Sequence, residues 1–447
     1  MALEGIEQIY MAVSSNANAF FTKTYLLTEY TTLSIKLNSL LAITSRSISL
    51  LLGFLIMPLL VNNIGTVQYG VWATLASVCS WLLFFDLGVG NSFKNTVAKG
   101  DLEEIEKEYN VAASLYVYIS ASFAVLLLFL GRVFESTQLF YGQVLMLYLP
   151  IVVFFPLKIF GHGIQGGGRV GVNSLIDSLR LVLFFLSLLV YFECFEYSLS
   201  GLIVIFVMSN LAPVMLQVVV YKNTVRSVVM PRLQSFSVIK KSEGFKLGIR
   251  FFSLQLSSLL LFSFGNILIY SFFSPDAVAM YDVCSKVFVA GLSLFNMVIA
   301  VVWPKLTLLY GERDYTGCIG LYFGLLKLAF VFCVGVSIVA INFDFVLAVL
   351  SLEGSILLQS NLLLSVAILT CLQAFSYCGA VVMNATGKLT TQIVVSFFSI
   401  LLIIPLFLMF FQFDFGVASY SLASALLVAV GVAAYNLSAL KIINGMR

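Results

Sequence analysis

The sequence predicts an all-α polytopic membrane protein of twelve transmembrane helices, arranged as two six-helix lobes with a parallel pseudo-repeat. Three observations predict it. Of the 447 residues 61% are hydrophobic and only 10% charged, against about 25% charged in a soluble domain, and the mean hydropathy is +1.05. The apolar residues fall into twelve runs, each near the roughly 20 residues that cross ~30 Å of hydrocarbon. The cations between those runs fall almost entirely on one side.

In chain order, residues 1–36 read as a cytoplasmic tail or surface-lying segment. "MALEGIEQIYMAVSSNANAF" carries two glutamates and no cation, unlike a secretory signal with its basic start. The first lobe spans 37–221, with runs at 37–62, 70–93, 110–131, 138–161, 173–192 and 198–221. A basic linker, 222–247, follows. The second lobe spans 248–440, with runs at 248–272, 280–304, 317–343, 361–384, 389–413 and 416–440, and a short tail at 441–447 ends the chain. With both termini in the cytoplasm, the interior loops take Lys94, Lys99, Lys107, Arg169, Lys222, Arg226, Arg232, Lys240, Lys241, Lys246, Lys305, Arg313 and Lys388, while Arg132 alone lies outside. An extra or missing span would throw every later loop to the wrong side.

The halves repeat. "QGGGRV" (165–170) after the fourth run matches "NATGKL" (384–389) after the tenth, and "GTVQYGVW" (65–72) sits after the first as "SPDAVAMYDV" (274–283) sits after the seventh. With an even number of spans per half, the repeats are parallel, a recurrent transporter plan.

Composition also excludes. A net charge of +3 gives no reason for a nucleic-acid partner. Seven scattered cysteines without a C-x-x-C pair, and a single histidine, His162, support neither a disulfide framework nor a metal site. "GHGIQG" (161–166) spells G-x-G-x-x-G but lacks a strand before it, so it is read as a loop. No phosphate-binding G-x-x-x-x-G-K-[ST] occurs, so ATP hydrolysis by this chain is not expected, and no cofactor is.

Ionisable residues inside spans face protein or water and are candidate functional groups. They are Arg46, Asp86, Lys158, Asp177, Arg180, Arg250, Asp282, Lys286 and Lys327. Asp177 with Arg180 (i, i+3) and Asp282 with Lys286 (i, i+4) can each neutralise one another on one helix face. Lys158, near the cytoplasmic end of its span, can snorkel to the surface. Arg46 and Arg250 open the first span of each half with no acid within a turn, and a guanidinium matches phosphate oxygens. Asp86, in "WLLFFDLGVGN", follows five apolar residues and precedes Gly88, Gly90 and Asn91. At roughly 24 Å from the outer end at 1.5 Å per residue, it reads as a gate-forming or proton-binding group, or as an interhelical clamp for a cation such as Arg46. Asn91 supplies donors and an acceptor beside it. Six prolines, 58, 150, 156, 213, 304 and 405, fall inside spans, where each can seed a bend.

The second span, "IGTVQYGVWATLASVCSWLLFFDLGVGN", resembles that of bacterial O-antigen flippases, the polysaccharide-transporter branch of the multidrug/oligosaccharidyl-lipid/polysaccharide exporter superfamily. Gly65, Tyr69, Gly70, Trp72, Trp81, Asp86, Gly88, Gly90 and Asn91 carry the likeness. "GIQGGGRVGVN", "AVAMYDVCSKV" and "MNATGK" add to it, and it covers about 37–440.

The resemblance implies a V-shaped exporter-type fold around a cationic cavity. It also implies carriage of an undecaprenyl-diphosphate-linked oligosaccharide from the cytoplasmic to the periplasmic leaflet of the inner membrane, coupled to H+ or Na+. Other expected partners are membrane lipids, an O-antigen polymerase and a chain-length regulator. Arg46, Arg250, Lys286 and Arg180 would then serve the substrate diphosphate, and Asp86, Asn91, Asp282 and Asp177 ion coupling or gating. The leading 36 residues depart from the family's usual start. The rivals are a multidrug exporter of the same superfamily, which would favour an acidic cavity, and a membrane enzyme such as a polymerase, which would carry one large external loop.

Overall fold

A computed structural model describes residues 2–84, 86–99, 102–133, 138–225, 232–242, 245, 252, 256, 259–261, 264–354 and 359–446. In order these give α1 (Ala2–Phe84), α2 (Val89–Lys99), α3 (Leu102–Val133), α4 (Gln138–Phe154), a 3-10 turn (Phe155–Leu157), α5 (Lys158–Gly166), α6 (Val170–Cys194), α7 (Leu199–Val225) and α8 (Phe236–Lys241). After the linker come α9 (Gly265–Phe272), α10 (Pro275–Gly311), α11 (Tyr315–Ile341), α12 (Phe343–Val349), α13 (Ser360–Thr386), α14 (Thr390–Gln412) and α15 (Ser419–Asn444).

Ten helical stretches among the described residues are long and apolar enough to cross a membrane. This is a polytopic membrane protein. The first stretch runs over 41 residues, twice what one crossing needs, and Gly65 breaks it with φ 78°, ψ 166°. Two expected spans therefore share α1. The first part of the expected seventh span, 248–272, lies partly outside the described residues, and its end is α9.

The pseudo-repeat is visible in backbone hydrogen bonds. After α5, Gly168 N–H donates to Gln165 O (3.1 Å) and Arg169 N–H to Ile164 O (3.2 Å). After α13, Gly387 N–H donates to Asn384 O (3.4 Å) and Lys388 N–H to Met383 O (3.1 Å). Gly168 and Gly387 adopt φ 78° and 71°, a left-handed helix end that glycine adopts without strain. The same terminator thus closes equivalent helices in both halves.

"GHGIQG" is not a loop. It lies within α5, and its glycines serve packing: a Cβ on Gly163 would meet the Tyr221 ring at 2.2 Å. The expected fourth span is instead interrupted earlier, at the Phe155–Leu157 turn, where Pro156 removes a backbone donor and forces the i−4 carbonyl aside.

Within the first half, α1 packs on α6, with Ser45 Oγ donating to the Ser174 carbonyl. The linker is strapped across α3: Asn110 Oδ1 accepts Arg232 N–H and Ser114 Oγ accepts Gln234 N–H, both at 2.8 Å, while Ile239 is fully buried. In the second half, α13 and α15 are the heart of the packing, and Ser365 and Ser421 meet there at 2.6 Å between hydroxyls. Small residues at such contacts let helix backbones approach in a medium that offers no hydrophobic drive. The halves meet mainly where α1 beyond Gly65 lies against α9 and α10.

Candidate functional site

Polar side chains gather at two places. The first is a cavity of about 350 Å³ inside the first half, lined by Lys158, His162, Asn173, Asp177, Arg180 and Gln217 among apolar neighbours. Here α1 ends at Phe84 and the chain turns through Asp86, Leu87 and Gly88 before α2. Leu87 and Gly88 take φ 49° and 68°. The Asp86 side chain organises that turn, Oδ1 accepting Gly88 N–H at 2.9 Å. Its other oxygen faces α5, 3.6 Å from Lys158 Nζ and 3.6 Å from His162 Nε2. Asp86 is 5% exposed. A buried carboxylate at this depth is tolerable because two α5 side chains and a backbone amide surround it.

Close approach of α2 and α5 makes this possible. A Cβ on Gly90 would lie 2.4 Å from the His162 ring and 2.5 Å from the Tyr116 hydroxyl. Among the described residues neither nitrogen of His162 has a hydrogen-bond partner; its contact with Asp86, at 3.6 Å, is longer than a hydrogen bond.

Across the cavity, α6 and α7 form a second polar cluster. Asn173 Nδ2 donates to Asp177 Oδ2 (2.8 Å), and Gln217 Nε2 donates to Asp177 Oδ1 (2.9 Å) and Asn173 Oδ1 (3.1 Å). Arg180, one turn further on α6, interacts electrostatically with Asp177. Asp177 is nevertheless exposed, because it faces the open cavity. It can accept more than its two amide donors.

The second place lies between the halves. Tyr69 Oη donates to Asp282 Oδ2 at 2.5 Å, and Lys286 Nζ donates to Tyr69 Oη at 2.9 Å and lies 2.6 Å from Asp282 Oδ2. Asn266 Nδ2 donates to Asp282 Oδ1 (2.8 Å) and Ser77 Oγ (2.9 Å). Nearer the helix starts, Thr66 Oγ1 donates to Asp276 Oδ1 at 2.5 Å. Gly70 presses on the Pro275 carbonyl, which a Cβ there would approach to 1.8 Å.

The expected sites are therefore divided. Asp282 and Lys286 pair as their spacing predicts, but Tyr69 of the other half completes the pair. Asp86 stands apart, with Lys158 and His162 rather than Arg46 beside it. Lys158 turns inward instead of snorkelling. Arg46 is exposed on α1 and Lys327 on α11. Arg250 lies outside the described residues, and so does the side chain of Asn91, whose backbone belongs to α2. Neither His162 nor Tyr69 is among the expected site residues, Tyr69 standing only among those that carry the family likeness. A histidine four residues after a membrane lysine was the available signal for the first; for Tyr69, one of 20 tyrosines, the signal was its place in the second-span pattern, which names no partner for it. Among the described residues no cluster of three or more histidine, cysteine or carboxylate side chains could hold a metal.

Residues 35–309 match a family described as polysaccharide biosynthesis protein. No curated protein matches the chain. Among solved structures it is similar to an inward-facing conformation of a multidrug resistance MATE family transporter of the MOP superfamily. The TM-score is 0.70 at 14% identity, over 91% of this chain and 98% of that one. It is also similar to MATE in the straight conformation (TM-score 0.62, 14% identity, 92% and 96% covered) and in the bent conformation (0.60, 14%, 92% and 95%). The chain has the MATE-type transporter fold.

Proposed function

We propose, from the premise that this chain belongs to the polysaccharide biosynthesis protein family, that it is a flippase rather than an enzyme. In this reading it moves an undecaprenyl-diphosphate-linked O-antigen unit from the cytoplasmic to the periplasmic leaflet of the bacterial inner membrane. Both termini face the cytoplasm, and transport proceeds by alternating access of two lobes, coupled to H+ or Na+. A polymerase and a chain-length regulator act on the product.

One observation carries the reading: Lys158 and Arg180 against Asp177 in the cavity lining. Cationic walls in a low-dielectric bundle suit a diphosphate headgroup, and the guanidinium suits it best because its fork meets two oxygens at once. Arg46, Arg250 and Lys286 are the further cations assigned to that headgroup. Asp86, Asp177, Asp282 and Asn91 are assigned to gating and coupling.

The test is transfer of a fluorescent undecaprenyl-diphosphate oligosaccharide across reconstituted vesicles, with native chain, Arg180→Ala and Arg46→Ala. The native chain should accelerate transfer, and each variant should lose most of it at unchanged membrane abundance. Equal transfer with and without protein would end the proposal.

One observation favours a second reading, a cation-coupled drug exporter: the exposed Asp177 with Asn173 and Gln217 forms an acidic, hydrogen-bonding recess in the same cavity. Efflux of a lipophilic cation, abolished by Asp177→Asn, would support it instead.

A further inference from the structure

The cluster between the halves has a geometry that its charges alone do not require. Asp282 needs one counter-ion, and Lys286 on its own helix supplies it at 2.6 Å. Yet the same carboxylate also receives Tyr69 from α1 and Asn266 from α9, and Asn266 reaches on to Ser77. Three helices from two halves thus converge on one buried acid. Asp282 is 6% exposed and Tyr69 1%. The Lys286 side chain, by contrast, is 45% exposed.

That contrast matters inside a membrane. An ammonium exposed some ten residues into a span requires water, so Lys286 opens onto an aqueous space and not onto lipid. It has three donors, of which Asp282 and Tyr69 use two. Among the described residues the third has no acceptor, which leaves it to an anion in that space. An anion there would compete with Asp282 for the ammonium. Once Lys286 leaves, Tyr69 faces a buried carboxylate without its counter-ion, an arrangement that low dielectric penalises strongly. The closed arrangement that buries this carboxylate is then destabilised relative to one in which the halves part and water reaches it.

We propose that Tyr69, Asp282 and Lys286 form an anion-operated latch, in which the phosphate groups of the cargo draw Lys286 away and so release the end of the molecule where Gly65 and Ser274 lie. This rests on the flippase reading for the identity of the anion. On the topology given above that end is periplasmic, so cargo entering from the cytoplasm opens the exit ahead of it. The neighbouring contacts, Thr66 with Asp276 and Gly70 with Pro275, follow passively, since neither holds a cation.

The experiment uses the full chain in lipid nanodiscs, with Cys194, Cys333 and Cys371 replaced by serine and spin labels on cysteines introduced at exposed Val67 and Ser271. Inorganic pyrophosphate is the probe, and its binding is measured separately by calorimetry. In the native sequence pyrophosphate should lengthen the distance by at least about one helical turn, ~5 Å. Asp282→Asn should show the long distance without pyrophosphate. Lys286→Arg should keep the response, and Lys286→Met should show the long distance already without pyrophosphate and no further lengthening with it. Binding without lengthening, or lengthening that persists in Lys286→Met, overturns the latch and leaves the cargo reading standing. Absence of pyrophosphate binding overturns both. Correct folding of each variant is read from its monodisperse elution and unchanged thermal midpoint within a few degrees of native.

Discussion

The Asp86 carboxylate lies 3.6 Å from Nε2 of His162, the only histidine in the chain. It lies equally far from Lys158 Nζ on the same face of α5. The turn that ends α1 is thereby tied to the cavity wall. Asp86→Asn preserves the Gly88 contact but removes the negative charge that faces Lys158. We expect a drop in thermal stability of ~1–2 kcal/mol, below the scale of a fully buried pair because the Lys158 side chain is 34% exposed. Asp86→Asn with Lys158→Met should recover most of it, because neither charge then remains. Thermal unfolding of the four proteins in detergent checks the cycle. Full stability in Asp86→Asn alone would show that the pair holds nothing.

Gly90 gives a sharper test of the same contact. A methyl group there would sit 2.4 Å from the His162 ring and 2.5 Å from the Tyr116 hydroxyl, so α2 and α5 must part. Gly90→Ala should cost about 1–3 kcal/mol through overpacking, and Gly90→Ala with His162→Ala should lose less than the two single changes summed. Additive losses would place the clash elsewhere.

These sites show which features were legible in the sequence. The apolar helical spans and the paired half-turns at 165–170 and 384–389 depend on local pattern, and a membrane leaves local pattern few alternatives. Pairings within one helix, such as Asp282 with Lys286, were legible for the same reason. Contacts across helices were not. Tyr69 reaches Asp282 over 213 positions, and nothing in the spacing of either span selects that partner. Lys158 was misjudged because its distance from the span end permits either snorkelling or an inward turn; Asp86, on another element, decides. "GHGIQG" was misjudged because glycine serves both turns and close helix packing, and only the Tyr221 ring shows which.

The shared helix terminators predict symmetric behaviour in the two halves. Gly168 and Gly387 occupy φ 78° and 71° with open space around them, so alanine there meets backbone strain and no steric clash. Each substitution should destabilise by ~1 kcal/mol, as expected for a non-glycine residue held at positive φ. Equilibrium unfolding of the two variants should therefore give similar losses. A loss confined to one of them would mean that the matching hydrogen bonds do not reflect matching constraint.

The linker offers a prediction that joins packing to topology. Residues 232–234 are held on α3 by Asn110 and Ser114, and Tyr118 Oη donates to the Gln234 carbonyl at 2.8 Å. Arg232 is exposed, so trypsin can cut there once the strap lifts. Asn110→Ala removes the acceptor for the Arg232 amide, a change of ~1 kcal/mol, which raises the lifted population about fivefold. Cleavage at Arg232 should accelerate by that factor when opening is fast relative to cutting, and Ser114→Ala should act in the same direction through the Gln234 amide. The side of the membrane from which trypsin acts is a second readout. Inverted membrane vesicles, which present the cytoplasmic face, should be cut, and intact spheroplasts should resist. Cleavage in spheroplasts would invert the charge-based orientation, and with it the direction in which the latch between Tyr69 and Lys286 opens.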